Sequence, residues 1–311
     1  MVLTIDDMSF GVGQNLTIAG KVKSDCNSFS INIGHGPDSI ALHFNPRFKY
    51  NKDRKVIVCN SYLGSWGVEQ KERDFPFNQD GDFKVEFSFS NDRFLIKLPN
   101  GNMIDFPNRS GDDKFKHLHV KGAVKLHTIE FRYTPPQCAL TGWGISCTHL
   151  LVFLHHYKGK SQVQSASHST GTLNHITDKM VLTVKDMTFK AGQELSISGK
   201  VKSGCEKFSI NIGHDADNIA LHFNPRFCYN GDTNIIVCNS NQGGWGEEVR
   251  EHGFPFQHDE AFKVTINFNN EQFYIKLPNG TMMSFPNRHG DDAFNHFDVR
   301  GDVKVEGIKM K

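Results

Sequence analysis

The chain has 311 residues, which is long for one domain and enough for two domains of usual size that each bury a core. Its formal net charge of +1 at pH 7 leaves no excess of positive charge for binding a nucleic-acid backbone. Its seven cysteines are odd in number and include no Cys-x-x-Cys pair, which indicates reduced thiols rather than a disulfide framework.

Neither a secretory signal nor a membrane span is expected. Residues 1–7 lack both the basic segment and the continuous apolar segment of a signal peptide. The apolar run at residues 150–154 is far too short to cross a bilayer. We therefore expect a protein that is made in the cytosol and does not insert into membranes.

The chain contains an internal duplication. The stretch His-Phe-Asn-Pro-Arg that begins at His43 recurs at His222 (222 − 43 = 179), and the same offset relates two repeats without a gap. The duplication predicts one domain at residues 1–131 and a second at residues 180–311, joined by a linker at residues 132–179.

Apolar and polar residues alternate within each repeat, for example along residues 83–89 and again along residues 262–268. Period two is typical of half-buried antiparallel strands. Asn-Gly pairs at residues 100–101 and 279–280 are typical of tight hairpin turns, and sustained helical periodicity is missing from both repeats. The pattern predicts an all-β fold: two antiparallel β-sandwich domains joined by a largely irregular linker.

The linker has no counterpart elsewhere in the chain. Its paired prolines at residues 135–136 and its polar stretch at residues 161–171 cannot bury enough apolar surface to become ordered, which predicts a mobile tether. Residues 143–157 are more apolar, so docking of this part on a domain, or a short helix, is the alternative.

A cluster of polar side chains is predicted on one face of a strand in each repeat. His43, Asn45 and Arg47 are two positions apart and project together, and Asn60 follows the next apolar run, which could place it beside them. An imidazole, carboxamides and a guanidinium can donate to and accept from hydroxyl groups. The second repeat presents the same set, His222, Asn224, Arg226 and Asn239.

One tryptophan accompanies each polar cluster, Trp66 in the first repeat and Trp245 in the second. An indole packs well against the C–H face of a sugar ring, although a tryptophan is more often part of a core. The neighbouring glycines favour an exposed loop. Glu69 and Glu248 follow, placed to accept sugar hydroxyls and to orient the strand arginines.

Together these residues resemble the pattern of the galectin family of β-galactoside-binding lectins. The second repeat matches it at His222, Asn224, Arg226, Val237, Asn239, Trp245, Glu248 and Arg250. The first repeat matches it at His43, Asn45, Arg47, Val58, Asn60, Trp66 and Glu69, and then departs at Lys71.

The resemblance extends over both repeats and implies a tandem-repeat galectin. It implies β-sandwiches without metal or cofactor that bind lactose-like and N-acetyllactosamine-like ends of glycans on glycoproteins and glycolipids. It also implies cross-linking of glycoconjugates without chemical turnover, and export from the cell by a non-classical route.

Three other functions make different demands on these residues. A glycoside hydrolase needs two carboxyl groups at the bond, and each repeat offers one plausible site carboxylate, Glu69 or Glu248. A calcium lectin is disfavoured because Asp80-Gly81-Asp82 is not repeated at residues 259–261. The alternative that we retain is an intracellular protein-interaction module with weak or lost sugar binding.

Two differences between the repeats predict unequal sites. Lysine is a compact ammonium on a flexible stem, whereas arginine is a planar fork, so Lys71 predicts a first site that is weaker than the second or prefers a different neighbouring sugar. Cys228 follows Arg226 closely where the first repeat has Lys49, so its oxidation could affect the second site, although an inert thiol is the simpler interpretation.

Overall fold

A computed structural model describes residues 3–90, 92–133, 180–185 and 187–311 of the chain. Apart from Arg132 and Tyr133, which belong to a strand, the predicted linker and the docking alternative for its middle lie outside the described residues. No helix long and apolar enough to cross a membrane occurs in the described part of the chain.

The described secondary structure of the first repeat consists of β-strands. They are β1 Leu3–Asp6, β2 Phe10–Gly11, β3 Gln14–Val22, β4 Phe29–Gly36, β5 Ser39–Tyr50, β6 Asp53–Leu63, β7 Gln70–Glu72, β8 Asp82–Phe89, β9 Arg93–Lys97, β10 Met103–Pro107, β11 Lys114–Phe115, β12 His117–Gly122 and β13 Val124–Tyr133.

The second repeat has the same succession of strands. They are β14 Met180–Lys185, β15 Phe189–Lys190, β16 Glu194–Val201, β17 Phe208–Gly213, β18 Asn218–Tyr229, β19 Asp232–Gln242, β20 Val249–Glu251, β21 Ala261–Phe268, β22 Gln272–Lys276, β23 Met282–Pro286, β24 Ala293–Phe294, β25 His296–Gly301 and β26 Val303–Met310.

Each repeat is a sandwich of two antiparallel sheets, as the sequence predicted. In the first repeat one sheet has the order β1-β12-β4-β5-β6-β7 and the other has the order β10-β9-β8-β3-β13. The second repeat follows with β14-β25-β17-β18-β19-β20 and β26-β16-β21-β22-β23. Every pairing within these sheets is antiparallel, which hairpin and Greek-key connections allow.

Phenylalanines fill the space between the sheets. Phe29 of β4 lies 5.2 Å from Phe83 of β8, and Phe44 of β5 lies 5.7 Å from Phe87 of β8, measured between ring centroids. The alternating burial of β8 places its apolar residues on this side and its charged residues in solvent. The second repeat packs Phe208 against Phe262 in the same way. Large apolar burial of this kind is the main term that stabilises each sandwich.

The repeats pair with each other along two strand edges. Ile5 of β1 faces Val184 of β14, and Ile129 of β13 faces Ile308 of β26, both in antiparallel register. The pairing extends the two sheets of each repeat into shared sheets of twelve and ten strands. The described parts of both repeats accordingly belong to one compact unit.

Candidate functional site

The polar cluster of the first repeat lies on the face of β5, β6 and β7 that points away from the sandwich core. His43 is paired with Asn60 across β5 and β6, and Val58 is paired with Lys71 across β6 and β7. Phe44 points into the core from between His43 and Asn45. The second repeat has the same register, pairing His222 with Asn239, Asn224 with Val237, and Val237 with Arg250.

His43 is held as a neutral imidazole with a defined tautomer. The amide nitrogen of Asn32 on β4 donates to the carbonyl of His119, at 3.2 Å, so its Oδ1 accepts a hydrogen bond from Nδ1 of His43. Burial, followed by repulsion from Arg47, lowers the pKa of His43 to about 4. Nε2 therefore carries a lone pair that can accept a hydroxyl hydrogen at neutral pH.

His222 reaches the same state through different supports. Its Nδ1 lies 2.6 Å from Oδ1 of Asn211, whose amide nitrogen donates at 2.6 Å to the buried carboxylate of Asp298. Burial opposes ionisation of Asp298, but hydrogen bonds from His296 and Arg300 outweigh it and lower the pKa of this carboxyl. Burial, followed by repulsion from the strand arginine, lowers the pKa of His222 to about 4.

Arg47 is fixed on three sides and is 12% exposed. Its Nε donates to Oδ1 of Asn45 at 2.7 Å, one terminal nitrogen donates to Asp53, and the other lies 3.3 Å from Glu69. Arg226 repeats these contacts with Asn224, Asp232 and Glu248. Charge-assisted bonds of this kind hold a guanidinium in one orientation before any ligand arrives.

The structure adds to each site a second carboxylate that the sequence did not predict. Asp53 and Asp232 both begin the strand that follows the His-x-Asn-x-Arg strand. A hydrogen bond from Lys71, followed by one from Arg47, lowers the pKa of Asp53, and Arg250 does the same for Asp232. A glycosidase acid needs a raised pKa, so these carboxylates suit the orientation of cations rather than proton transfer.

The second cation of each site bridges both carboxylates. Nζ of Lys71 lies 2.9 Å from Asp53 and 3.2 Å from Glu69. Arg250 donates from Nε and Nη2 to one oxygen of Glu248, at 3.0 and 2.7 Å, and from Nη1 to Asp232 at 2.7 Å. An ammonium has three donors and a guanidinium has five, so Arg250 retains more capacity for a ligand than Lys71.

Both tryptophans are exposed beside the histidines. Trp66 is 54% exposed and Trp245 is 56% exposed, and each indole lies 4.9 Å from the adjacent imidazole between ring centroids. Tyr62 lies 5.2 Å from Trp66, whereas the second repeat has Asn241 at that position. The stacking surface next to the first indole is therefore more aromatic.

An arginine that the sequence did not predict as a site residue contacts the asparagine that holds the tryptophan loop in each repeat. Arg109 donates from Nη1 to Oδ1 of Asn60, at 3.1 Å, while the amide nitrogen of Asn60 donates to the carbonyl of Gly67. A side chain at Gly67 would begin 2.8 Å from that guanidinium and would have to displace it. In the second repeat, Arg288 and Gly246 occupy these positions.

The two asparagines of each cluster are more buried than an open polar platform would require. Asn45 is 8% exposed and donates to the carbonyl of Phe29, and Asn60 is 4% exposed with its amide committed to the tryptophan loop. Their main contribution in the structure is to hold Arg47 and Trp66 in place. The cleft of the first repeat is open and has a volume of about 540 Å³.

Cys228 is exposed and lies on β18 two residues beyond Arg226. It lines a cavity together with Phe227 and His258. Its counterpart in the first repeat, Lys49, does not line the cleft that holds Arg47 and Trp66. An effect of its oxidation on the second site stays a prediction.

Comparison with known proteins identifies the family. The model of the galactoside-binding lectin family matches residues 2–131 and again residues 180–310. The chain belongs to the galactoside-binding lectins. It therefore carries two galectin domains and is a β-galactoside-binding lectin rather than an enzyme.

Single-domain galectins match one repeat at a time. Galectin-1 of Ovis aries is 44% identical over 131 residues, which are 42% of this chain and 97% of the relative. A β-galactoside-binding lectin of Electrophorus electricus is 45% identical over 126 residues, 40% of this chain and 93% of the relative. The crystal structure of Dario rerio galectin-1-L2 is 48% identical, with a TM-score of 0.40, covering 41% of this chain and 97% of that one.

Proposed function

We propose that this galectin is bivalent, recognises lactose-type and N-acetyllactosamine-type ends of glycans on glycoproteins and glycolipids, and cross-links the molecules that carry them. The observation that carries the proposal is the same preorganised cluster in both repeats: a neutral histidine, an arginine held between two carboxylates, and an exposed tryptophan. A relative that shares 45% identity with one repeat is named a β-galactoside-binding lectin.

The cluster offers complementary groups to the two faces of a galactose ring. The exposed indole of Trp66 provides a flat apolar surface for the face that carries C–H groups. Nε2 of His43 accepts from a hydroxyl, and Arg47 donates to one, so a hydroxyl on the opposite side of the ring would meet both. Because these groups are fixed before binding, a sugar with one inverted hydroxyl leaves them unsatisfied and is rejected.

Bivalence follows from the presence of the cluster in both repeats. The cleft of the first repeat is open to solvent and Trp245 of the second repeat is exposed, so the affinity of a single site for a small sugar is expected to be modest. Two sites on one chain convert the second binding event into an intramolecular one when both glycans are within reach. Cross-linking of glycan-bearing surfaces is the function that this arrangement serves best.

Titration calorimetry with lactose tests the assignment on the full chain. The wild-type chain should bind two lactose molecules, Trp66→Ala and Trp245→Ala should each bind one, and the double variant should bind none. Maltose, which lacks galactose, is the control sugar and should not bind to any of the four proteins. Retained lactose binding by the double variant would show that the sites lie elsewhere.

Clustering of vesicles that display a lactosyl lipid tests bivalence. The wild-type chain should cluster them, free lactose should reverse the effect, and each single variant should remain bound to vesicles while failing to cluster them. Clustering by a variant with one active site would instead indicate association between chains. A chain that binds no galactoside but retains a protein partner would support the interaction-module alternative.

A further inference from the structure

A group of two histidines and one aspartate lies outside the sugar site of the second repeat. His214 follows β17, and His289 and Asp291 lie in the loop between β23 and β24. One ligand atom from each residue lies within 4.8 Å of the other two. No other group of three or more histidine, cysteine or acidic side chains in the described part of the chain meets this distance.

Two members of the group form a pair that both repeats share. Nε2 of His214 lies 2.9 Å from a carboxylate oxygen of Asp291, and His35 makes the same contact with Asp112 at 3.1 Å. The exposure of the two side chains is also the same in each pair, at 34% and 43%. The pair alone is therefore an ordinary feature of this fold.

The third member is present in one repeat only. The position of His289 is occupied in the first repeat by Ser110 (289 − 179 = 110). The hydroxyl of Ser110 donates to Oδ1 of Asn108 at 2.8 Å and accepts from the backbone of Asp112, so it serves to close its own loop. The second repeat has exchanged this loop contact for an imidazole beside the conserved pair.

The imidazole of His289 has coordination capacity that its loop does not use. Its side chain is 2% exposed, and Nε2 has no hydrogen-bond partner among the described residues. Nδ1 is the ring nitrogen that faces Asp291, at 3.9 Å from its carboxylate oxygen, which is too far for a hydrogen bond. Nδ1 is therefore the candidate ligand atom, and neither nitrogen of the ring is committed to the loop.

The spacing fits a small tetrahedral ion. Zinc bonds to imidazole nitrogen at about 2.0–2.1 Å, which places neighbouring ligands roughly 3.3 Å apart. The carboxylate oxygen of Asp291 lies 2.9 Å from Nε2 of His214 and 3.9 Å from Nδ1 of His289, so the two separations lie on either side of that value. Two nitrogens and one carboxylate suit zinc, copper or nickel, whereas calcium and magnesium prefer oxygen ligands.

We propose that the second repeat binds a divalent transition-metal ion of the zinc class through His214, His289 and Asp291, and that the first repeat does not. Solvent reaches the partly exposed His214 and Asp291 and supplies the fourth position. The site lies next to Arg288, which supports the tryptophan loop through Asn239, Ser240 and the carbonyl of Glu247. Sugar binding itself requires no metal in this proposal.

Exchange of the residues between the repeats tests the proposal in the full chain. Zinc is titrated calorimetrically into chelator-treated wild-type protein, His289→Ser, and Ser110→His. The wild-type chain should show one site that His289→Ser weakens at least tenfold, and Ser110→His should gain a second site beside His35 and Asp112. Circular dichroism confirms that each variant is folded.

Cobalt substitution identifies the ligands independently. Cobalt bound through nitrogen and oxygen at a tetrahedral site absorbs in the visible region without the intense sulfur-to-metal charge-transfer band of cysteine ligation. The visible band should be present in wild-type protein and missing from His289→Ser. Equal zinc affinity in wild-type and His289→Ser proteins, or a spectrum dominated by sulfur ligation in both, would overturn the proposal.

Discussion

At the scale of single residues, the two sites differ mainly in their second cation, Lys71 or Arg250, and in the number of N–H donors that it keeps available for a ligand. The three N–H groups of Lys71 face three carboxylate oxygens, two of Asp53 and one of Glu69. Arg250 makes four such contacts with the equivalent carboxylates of Asp232 and Glu248, and its guanidinium has a fifth N–H group to offer. The structure thus gives a physical reason for the inequality that the sequence predicted.

Replacing Lys71 by arginine and Arg250 by lysine should reverse the order of the lactose affinities of the two sites. Lys71→Arg in a Trp245→Ala background should tighten lactose binding at the first site by about three- to tenfold, the range for one additional hydrogen bond of ordinary net strength at an exposed position. Arg250→Lys in a Trp66→Ala background should weaken the second site by a similar factor. Titration calorimetry measures the lactose affinity of both variants. Unchanged affinities would show that a difference between the two sites comes from Tyr62 and Asn241 instead of the second cation.

We expect the buried histidines to make sugar binding resistant to mild acid. The pKa of His43 and of His222 is lowered to about 4, so at pH 5 only about a tenth of each imidazole is protonated. A histidine with an ordinary pKa would be almost fully protonated there, and binding would weaken by about 30-fold. Lactose affinity should therefore change less than twofold between pH 7.5 and pH 5. A fall of tenfold or more would contradict the acceptor role of Nε2.

The same pKa shift affects the stability of the fold with a definite sign. Because the folded-state pKa lies below that of the unfolded chain, near 6.5, the unfolded chain binds more protons between these values. The contribution of neutral His43 and His222 to the free energy of unfolding is complete above about pH 6.5 and is lost as the pH falls towards 4. Affinity at pH 5 is therefore compared only after folding has been verified.

At the scale of strands, periodicity predicts which residues of one strand share a face. It does not predict which residues of other strands and loops contact that face in the folded sandwich. The alternation along residues 83–89 is the alternation that β8 buries, and the two-residue spacing of His43, Asn45 and Arg47 places them together on β5. Asn32 contacts His43 from the preceding strand, and Arg109 contacts Asn60 from a distant loop, so no spacing rule within one strand indicates either residue.

The missed residues share a physical origin. Asp53 reaches Arg47 because a tight hairpin returns β6 along β5, and Arg109 reaches Asn60 from a loop 49 residues away in sequence. Asp53, Asn32 and Arg109 all recur in the second repeat at the offset of 179. Many framework residues are repeated too, so repetition alone does not separate supports of the site from the rest of the fold.

At the scale of the whole molecule, the two repeats pair through equivalent surfaces. Thr4 faces Lys185 and Asp6 faces Thr183, which are the partners that a twofold axis at Ile5 and Val184 requires (4 + 179 = 183; 6 + 179 = 185). The pairing of β13 with β26 is symmetric in the same way about Ile129 and Ile308. The surface is therefore isologous, and each repeat could use it to pair with a second copy of itself.

One ion pair at the axis distinguishes the pairing of a first repeat with a second repeat, which we call unlike, from the pairing of two copies of the same repeat, which we call like. Asp6 and Lys185 occupy equivalent positions, and Nζ of Lys185 lies 2.9 Å from a carboxylate oxygen of Asp6. Two copies of the first repeat would bring two aspartates together there, and two copies of the second would bring two lysines together. A partly exposed ion pair such as this one contributes little to the free energy of association by itself. In both like pairings, however, the attraction between unlike charges is replaced by repulsion between like charges.

Separated repeats should therefore form unlike dimers in preference to like ones. Each repeat has the length of a whole single-domain galectin such as that of Ovis aries, so separate production as residues 1–133 and 180–311 is reasonable. In an equimolar mixture, native mass spectrometry should find the unlike dimer several-fold above the 1:2:1 distribution expected by chance. Lys185→Asp should remove the excess, because the unlike pair then also opposes two aspartates at the axis, while Lys185→Arg should preserve it. A chance distribution for all three mixtures would show that the apolar strand pairs alone, Ile5 with Val184 and Ile129 with Ile308, set the association.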